Sequence, residues 1–169
     1  MDSANAALLE RFYAAFARRD AKTMAKCYAP DAVFRDPVFG RLDAAQTAAM
    51  WRMLIGRAPD LKVELAEHEA DDAQGSARWI AHYTFSSTGR PVVNEVHATF
   101  KFRDGRIAEH SDRFSFWRWS RQALGPVGLI LGWSPSLRLR LRRDALNALA
   151  ASMQKGNGAV PAGAKDRKQ

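Results

Sequence analysis

The hydrophobic period of this chain changes near residue 60, and that change limits the possible folds more than any other feature. Beyond it, Leu61, Val63 and Leu65 alternate with Lys62, Glu64 and Ala66. Trp79, Ala81, Tyr83 and Phe85 alternate with Arg78, Ile80, His82 and Thr84, and Val96, Ala98, Phe100 and Phe102 with Glu95, His97, Thr99 and Lys101. A period of two puts apolar side chains on one face of an antiparallel sheet and polar ones on the other. Asp104-Gly105 is a two-residue hairpin signal, and Gln74-Gly75 and Thr88-Gly89 mark further turns. The last strand reads from Arg106 to about Trp119.

Before the change the period is helical. Leu8, Phe12 and Phe16 recur every four residues along a helix over 4–18. Asp20 caps a short helix to about Tyr28, residues 32–37 form a short strand, and Asp43 caps a third helix over 44–55 that Gly56 ends. Helices first and strands last predict an α+β domain. A curved antiparallel sheet wraps three N-terminal helices, and its open end is where a small ligand binds.

The chain has 169 residues, 47% hydrophobic and 26% charged, which suits one globular domain. Its net charge of +8 is unevenly placed: residues 1–117 hold 16 basic and 16 acidic side chains, residues 118–169 hold 10 and 2. The basicity belongs to the C-terminal part, which argues against a body that binds nucleic acid specifically. The single cysteine, Cys27, excludes an intrachain disulfide. There is no His-x-His, no His-Glu-x-x-His and no phosphate-cradling glycine loop, so neither a metal nor another cofactor is expected. No secretory signal is visible, and the longest apolar stretch, Ala123 to Trp133, is 11 residues, too short to span a bilayer. A cytoplasmic location is the expectation.

The expected organisation is a cone domain over 1–119, a lid and basic amphipathic helix over 120–154, and a tail over 155–169 whose composition reads as disordered. In the basic helix, Leu137, Leu141, Ala145 and Leu149 form a stripe beside Arg138, Arg140, Arg142 and Arg143. Three readings stay open for residues 137–153: packing across the cone with the arginines in water, contact with an anionic membrane surface, and contact with an acidic partner or, nonspecifically, nucleic acid. Leu124 to Trp133 is apolar and glycine-rich, fit for a lid over a hydrophobic ligand.

One carboxylate stands out chemically. Asp36 lies in the apolar run Ala32-Val-Phe-Arg-Asp-Pro-Val-Phe39, directly before Pro37. The residue before a proline is pushed toward extended geometry, so Phe34 and Asp36 share one face. A carboxylate facing an apolar interior gains a raised pKa, which suits a general base near neutral pH. The competing reading is a strand-end aspartate that caps a turn.

The order of these pieces resembles the nuclear transport factor 2 superfamily, in its SnoaL-like and ketosteroid-isomerase-like branch. The resemblance is carried by Arg11-Phe-Tyr-Ala-Ala-Phe16, Ala29-Pro-Asp-Ala-Val-Phe-Arg-Asp-Pro37, Phe100-Lys-Phe-Arg-Asp-Gly-Arg-Ile107 and Glu109-His-Ser-Asp112. It implies a cone-shaped α+β fold with a deep pocket, commonly dimeric; an outward parity of Trp117 and Trp119 would fit a sheet-to-sheet homodimer. It implies that Asp36 is the catalytic base. The isomerase's oxyanion pair is a tyrosine and a protonated aspartate, and here Phe12 and Ala98 take those positions, with Tyr13 adjacent as a donor. His110 and Asp112 share a face of the last strand with Phe114, about 7 Å apart if two residues separate them along one face. The resemblance implies that this region acts as acid or base, with Asp112 tuning His110. Trp51, Trp79, Tyr83 and Phe114, with Phe34, would wall the ligand site, although the aromatic face at 79, 83 and 85 also reads as plain core. Two functions follow: a cofactor-independent isomerase or polyketide-type cyclase moving protons on a small hydrophobic molecule, or a non-catalytic ligand-binding or protein-interaction module. Epoxide hydrolysis, also known in the superfamily, needs an Asp-Arg-Asp arrangement that the sequence does not supply.

Overall fold

The computed structural model describes residues 3–157. Helices α1 (Ala4–Ala17) and α2 (Ala21–Lys26) lead into strands β1 (Tyr28–Asp36) and β2 (Gly40–Leu42), then helix α3 (Ala44–Arg57). Four long strands follow: β3 (Lys62–Ala70), β4 (Gln74–Phe85), β5 (Arg90–Arg103) and β6 (Arg106–Arg113). Helices α4 (Phe116–Leu124), α5 (Pro126–Leu131) and α6 (Pro135–Asn157) complete the described chain.

The strands form one six-stranded sheet in the order β2-β1-β6-β5-β4-β3. Its one parallel pairing, β1 with β6, joins the first strand to the last. Helix α1 packs on β3 at one end of the sheet and α3 on β1 near the other, so the sheet curves round its helices into a cone. The expected sequence signals act locally. Asp20 caps α2 through the Thr23 amide, and Asp43 forms a capping box with Gln46 on α3. Asp104 and Gly105 both take positive φ in the β5–β6 turn, as a two-residue hairpin of this hand requires. Leu9, Phe12, Phe34, Met24 and Met50 are essentially unexposed and form the centre of the core.

Three local expectations are corrected. β1 starts at Tyr28, four residues before the predicted strand, and a short β2 was not foreseen. The last strand ends at Arg113 instead of near Trp119, because Ser115 caps a helix through the Arg118 amide. In that helix Phe116, Trp119 and Ala123 face Val92, at helical spacing. Trp119 is therefore buried and Trp117 exposed, so the strand parity that suggested a sheet-to-sheet dimer through both does not exist. The third correction is the apolar stretch after Leu124, which is helical through α5. Gly128 and Gly132 press on Ser120 so closely that a β-carbon at either would overlap Ser120 atoms.

α6 packs on α3, burying Leu149 and drawing Ala145, Leu146 and Met153 onto the core, while Arg138, Arg140 and Arg143 stay exposed. It runs through Asn157, into the segment expected to open the tail, and the rest of that segment lies outside the described residues. No helix among the described residues is long and apolar enough to cross a membrane.

Candidate active site

The site follows from the register of β1, β6, β5 and β4. Phe34 is opposite His110, His110 opposite Phe100, and Phe100 opposite Gly75, making one rung across the inner face. His110 is thereby held between two phenylalanine rings, 5.0 Å and 4.4 Å away by ring centroids. Phe12 and Trp51 close the box at 5.8 and 6.2 Å, and His110 is only 1% exposed.

Both ring nitrogens of His110 are engaged. Nε2 lies 2.8 Å from Asp112 Oδ1 and Nδ1 2.7 Å from the Tyr28 hydroxyl, which accepts a further hydrogen bond from Trp51 Nε1 at 3.1 Å. A carboxylate can only accept, so Nε2 carries the proton and Nδ1 accepts from Tyr28. The chain Trp51 to Tyr28 to His110 to Asp112 then has every donor matched to an acceptor. Burial holds the Tyr28 phenol well above its usual pKa, so it keeps the proton it donates. His110 and Asp112 thus touch directly and satisfy each other. Their backbones are two residues apart on one face, but long side chains lean along a strand and close the gap.

One step along the β1–β6 register from Phe34–His110 is Arg35–Ser111, the last paired rung, and Asp36 and Asp112 are the next residues on the two strands, near enough for the charge of Asp112 to act on Asp36. Asp36 is half-buried, and its Oδ1 accepts from the amides of Val38 (2.9 Å) and Phe39. Its pKa is pushed up to about 7, mainly by burial, with the negative charge of Asp112 adding to the rise and the turn amides opposing it. The turn-capping reading and the base reading of this residue therefore describe the same carboxyl group.

The carboxyl rung continues into small residues: Asp112 pairs with Ala98, and Ala98 with Ala77. Trp79 lies two residues along β4 from Ala77, and its ring centroid is 6.1 Å from that of Tyr13 on α1. Tyr13 Oη and Trp79 Nε1 are buried and have no hydrogen-bond partner. A buried unpaired donor costs about 1–3 kcal/mol, so two side by side mark a place where an acceptor belongs. Burial, and then the charge of Asp112, hold the Tyr13 phenol well above its usual pKa, so it keeps the proton it can donate at neutral pH.

The other wall residues divide. Phe34 and Trp51 are core, packed on the His110 box. Tyr83 and Phe114 are partly exposed and pack on both the cone core and the cluster under α4; the Tyr83 hydroxyl accepts from Trp119 Nε1 at 2.8 Å. Arg142 of α6 bonds the Val38 carbonyl and lies against Gly40, whose positive φ and missing side chain admit it. Tyr28 was missed from the sequence because it was read as a helix end; its even parity with Phe34 and Asp36 was the available signal. A separate hollow of 690 Å³ lies on the outer sheet face, among Ser76, Thr99, Lys101 and Glu109. Its Lys101 and Glu109 pair with each other at 3.1 Å, away from the carboxyl rung.

Comparison with known proteins agrees with this architecture. A family model described as SnoaL-like domain matches residues 9–110. Among solved structures, an LEH-like epoxide hydrolase of M. tuberculosis is 23% identical, with a TM-score of 0.61 over 76% of this chain and 93% of its own. IdmH, a proposed polyketide cyclase from Streptomyces antibioticus, is 23% identical, with a TM-score of 0.60 over 73% and 98%. A protein of ketosteroid isomerase-like fold from Catenulispora acidiphila, in complex with trimethylamine, is 13% identical, with a TM-score of 0.63 over 76% and 97%. At these identities the likeness is one of fold. No curated protein matches the chain.

Proposed function

Because the chain belongs to the SnoaL-like domain family of the nuclear transport factor 2 superfamily, we propose that it binds a small apolar carbonyl compound in the cone and moves a proton beside the carbonyl without a cofactor. The observation that carries this reading is the pair of unpartnered buried donors, Tyr13 Oη and Trp79 Nε1, with Tyr13 and Asp36 both near enough to Asp112 to feel its charge. The ligand oxygen accepts from one or both donors. Asp36 abstracts the proton from the adjacent carbon and returns it to another atom of the resulting enolate. A base with a pKa near 7 is half ionised at neutral pH and is strong enough to work there.

His110 and Tyr28 do not touch the ligand in this scheme. They hold Asp112 in place, and Asp112 raises the basicity of Asp36 through its charge. The missing aspartate of the isomerase's oxyanion pair is replaced by the Trp79 indole, and the missing tyrosine by Tyr13, one residue along the helix. The aromatic filling around His110 favours a second reading, a non-catalytic module that binds the same class of ligand.

The test uses a panel of apolar cyclic ketones in deuterium oxide, with deuterium uptake beside the carbonyl followed by mass spectrometry. Uptake is expected with the wild-type chain and is lost in Asp36→Asn, with ligand binding retained. If Asp36→Asn exchanges as fast as wild type, the catalytic reading fails. Ligand binding with no exchange in either protein leaves the binding module.

A further inference from the structure

Among the described residues eight large apolar side chains are exposed, and all but Val93 lie between Trp117 and Leu139. Ile130 is 65% and Trp133 73% exposed. Helix α5 presents Val127, Leu129, Ile130 and Leu131 outward, and at 100° per residue these cover every direction except that of Gly128, which faces Ser120. The result is a protruding tip that is apolar nearly all round. A flat protein surface would cover one side of such a tip, whereas the acyl region of a lipid leaflet surrounds it.

Basic residues ring the root of the tip. Arg121 lies over the Trp117 ring and Arg138 over the Phe116 ring, each with its guanidinium 4.9 Å from the ring centre. Trp117 also donates to the Leu129 carbonyl at 3.3 Å, tying α4 to α5. Arg118, Arg140 and Arg143 are exposed nearby, and from 114 to 157 the only acidic side chain is Asp144. An apolar wedge collared by arginine and flanked by tryptophan matches an anionic leaflet: aromatic and aliphatic groups enter the headgroup boundary while cations meet the lipid phosphates. The described helices cannot span a bilayer, so the contact is peripheral.

We propose that the α4–α5 tip and the first turns of α6 dock this protein on an anionic lipid surface. The docking residues are not those of the C-terminal amphipathic stripe, which is occupied: Leu149 and its neighbours on α6 pack on the core. The tip adjoins Tyr83 and Phe114 through the α4 cluster, so docking brings that side of the cone towards the membrane. The proposal does not depend on the chemistry proposed for the cone.

The test is co-sedimentation of the full chain with vesicles of phosphatidylcholine alone or mixed with phosphatidylglycerol. Wild type is expected to bind the mixed vesicles about tenfold more tightly, and added salt weakens this. Ile130→Glu with Trp133→Glu is expected to lose binding by about tenfold or more, and Arg121→Gln with Arg138→Gln several-fold, both with unchanged melting. Brominated acyl chains are expected to quench tryptophan in the wild type and not in Trp133→Phe to the same degree, a readout that requires no folding-sensitive charge in the tip. Equal binding of wild type and the glutamate pair, or no binding to anionic vesicles, overturns the proposal. So does self-association in sedimentation that the glutamate pair abolishes while no vesicle binding is seen, since a second copy would then cover the tip.

Discussion

Asp36 and Asp112 each follow directly after the last paired rung of β1 and β6, Arg35–Ser111, and the negative charge of Asp112 adds to burial in holding a proton on Asp36. Neither is free to move away. Asp36 is fixed by the Val38 and Phe39 amides, and Asp112 by His110 Nε2. The carboxyl pair is therefore a property of the strand register.

Removing the Asp112 charge removes a cause that raises Asp36, so Asp112→Asn is expected to lower the Asp36 pKa below its value of about 7. Burial, the largest cause, remains, and the value stays above that of an exposed aspartate. Titration of the Asp36 carboxyl carbon by NMR in both proteins checks this. An unchanged midpoint means that the two groups do not interact.

The same shift makes stability depend on pH. The folded pKa of Asp36, about 7, exceeds the unfolded value, so the folded chain binds the proton more tightly between about pH 4 and 7. Stability from this group is present below the unfolded pKa and is lost as pH rises through 7. Asp36→Asn keeps the amide acceptor and removes the buried charge. It is expected to match wild type near pH 3, below the unfolded pKa, and to exceed it by about 1–3 kcal/mol at pH 8, discounted for the partial exposure of Asp36. Urea melts at the two pH values give the comparison.

Tyr13 Oη has no partner, so Tyr13→Phe removes an unpaired buried hydroxyl. It is expected to leave stability unchanged or raise it by about 1 kcal/mol. If Tyr13 donates to a ligand oxygen, the same change slows deuterium exchange by about 10²-fold. Greater stability with undiminished exchange would assign the hydroxyl no part in the reaction.

Tyr28→Phe is the opposite case, because that hydroxyl serves both His110 Nδ1 and Trp51 Nε1. Two buried groups lose their partner, and the expected cost is about 1–3 kcal/mol. Denaturant unfolding measures it, and the His110 ring-nitrogen shifts report the loss of the bond independently. A neutral effect with unchanged shifts would show that the Trp51–Tyr28–His110 chain does not form in solution.

Much of the fold was legible along the chain. The period-two runs at 61–66, 78–85 and 95–102, the Asp104-Gly105 turn and the Asp20 and Asp43 caps are short-range signals, and each element formed where its own residues prescribed. The failures have a common cause. Phe114 and Phe116 alternate with Ser115 and Trp117 well enough for a strand, yet the Ser115 cap and the Val92 face turn Phe116 and Trp119 into a helix. Tyr28 follows α2 directly, and only its pairing with Ile107 makes it a strand residue.

The sequence by itself determined the α+β order, the inward parity of Asp36, His110 and Asp112, and the basic, apolar character of the C-terminal part, because each depends on residues a few positions apart. Only the tertiary structure decided that His110 is sealed among rings, that Asp36 meets Asp112, that Tyr13 and Trp79 lack partners and that the α5 tip is uncovered. Those facts arise where β1 joins β6 and where α6 packs on α3, contacts between segments tens of residues apart, whose register and burial no local pattern encodes.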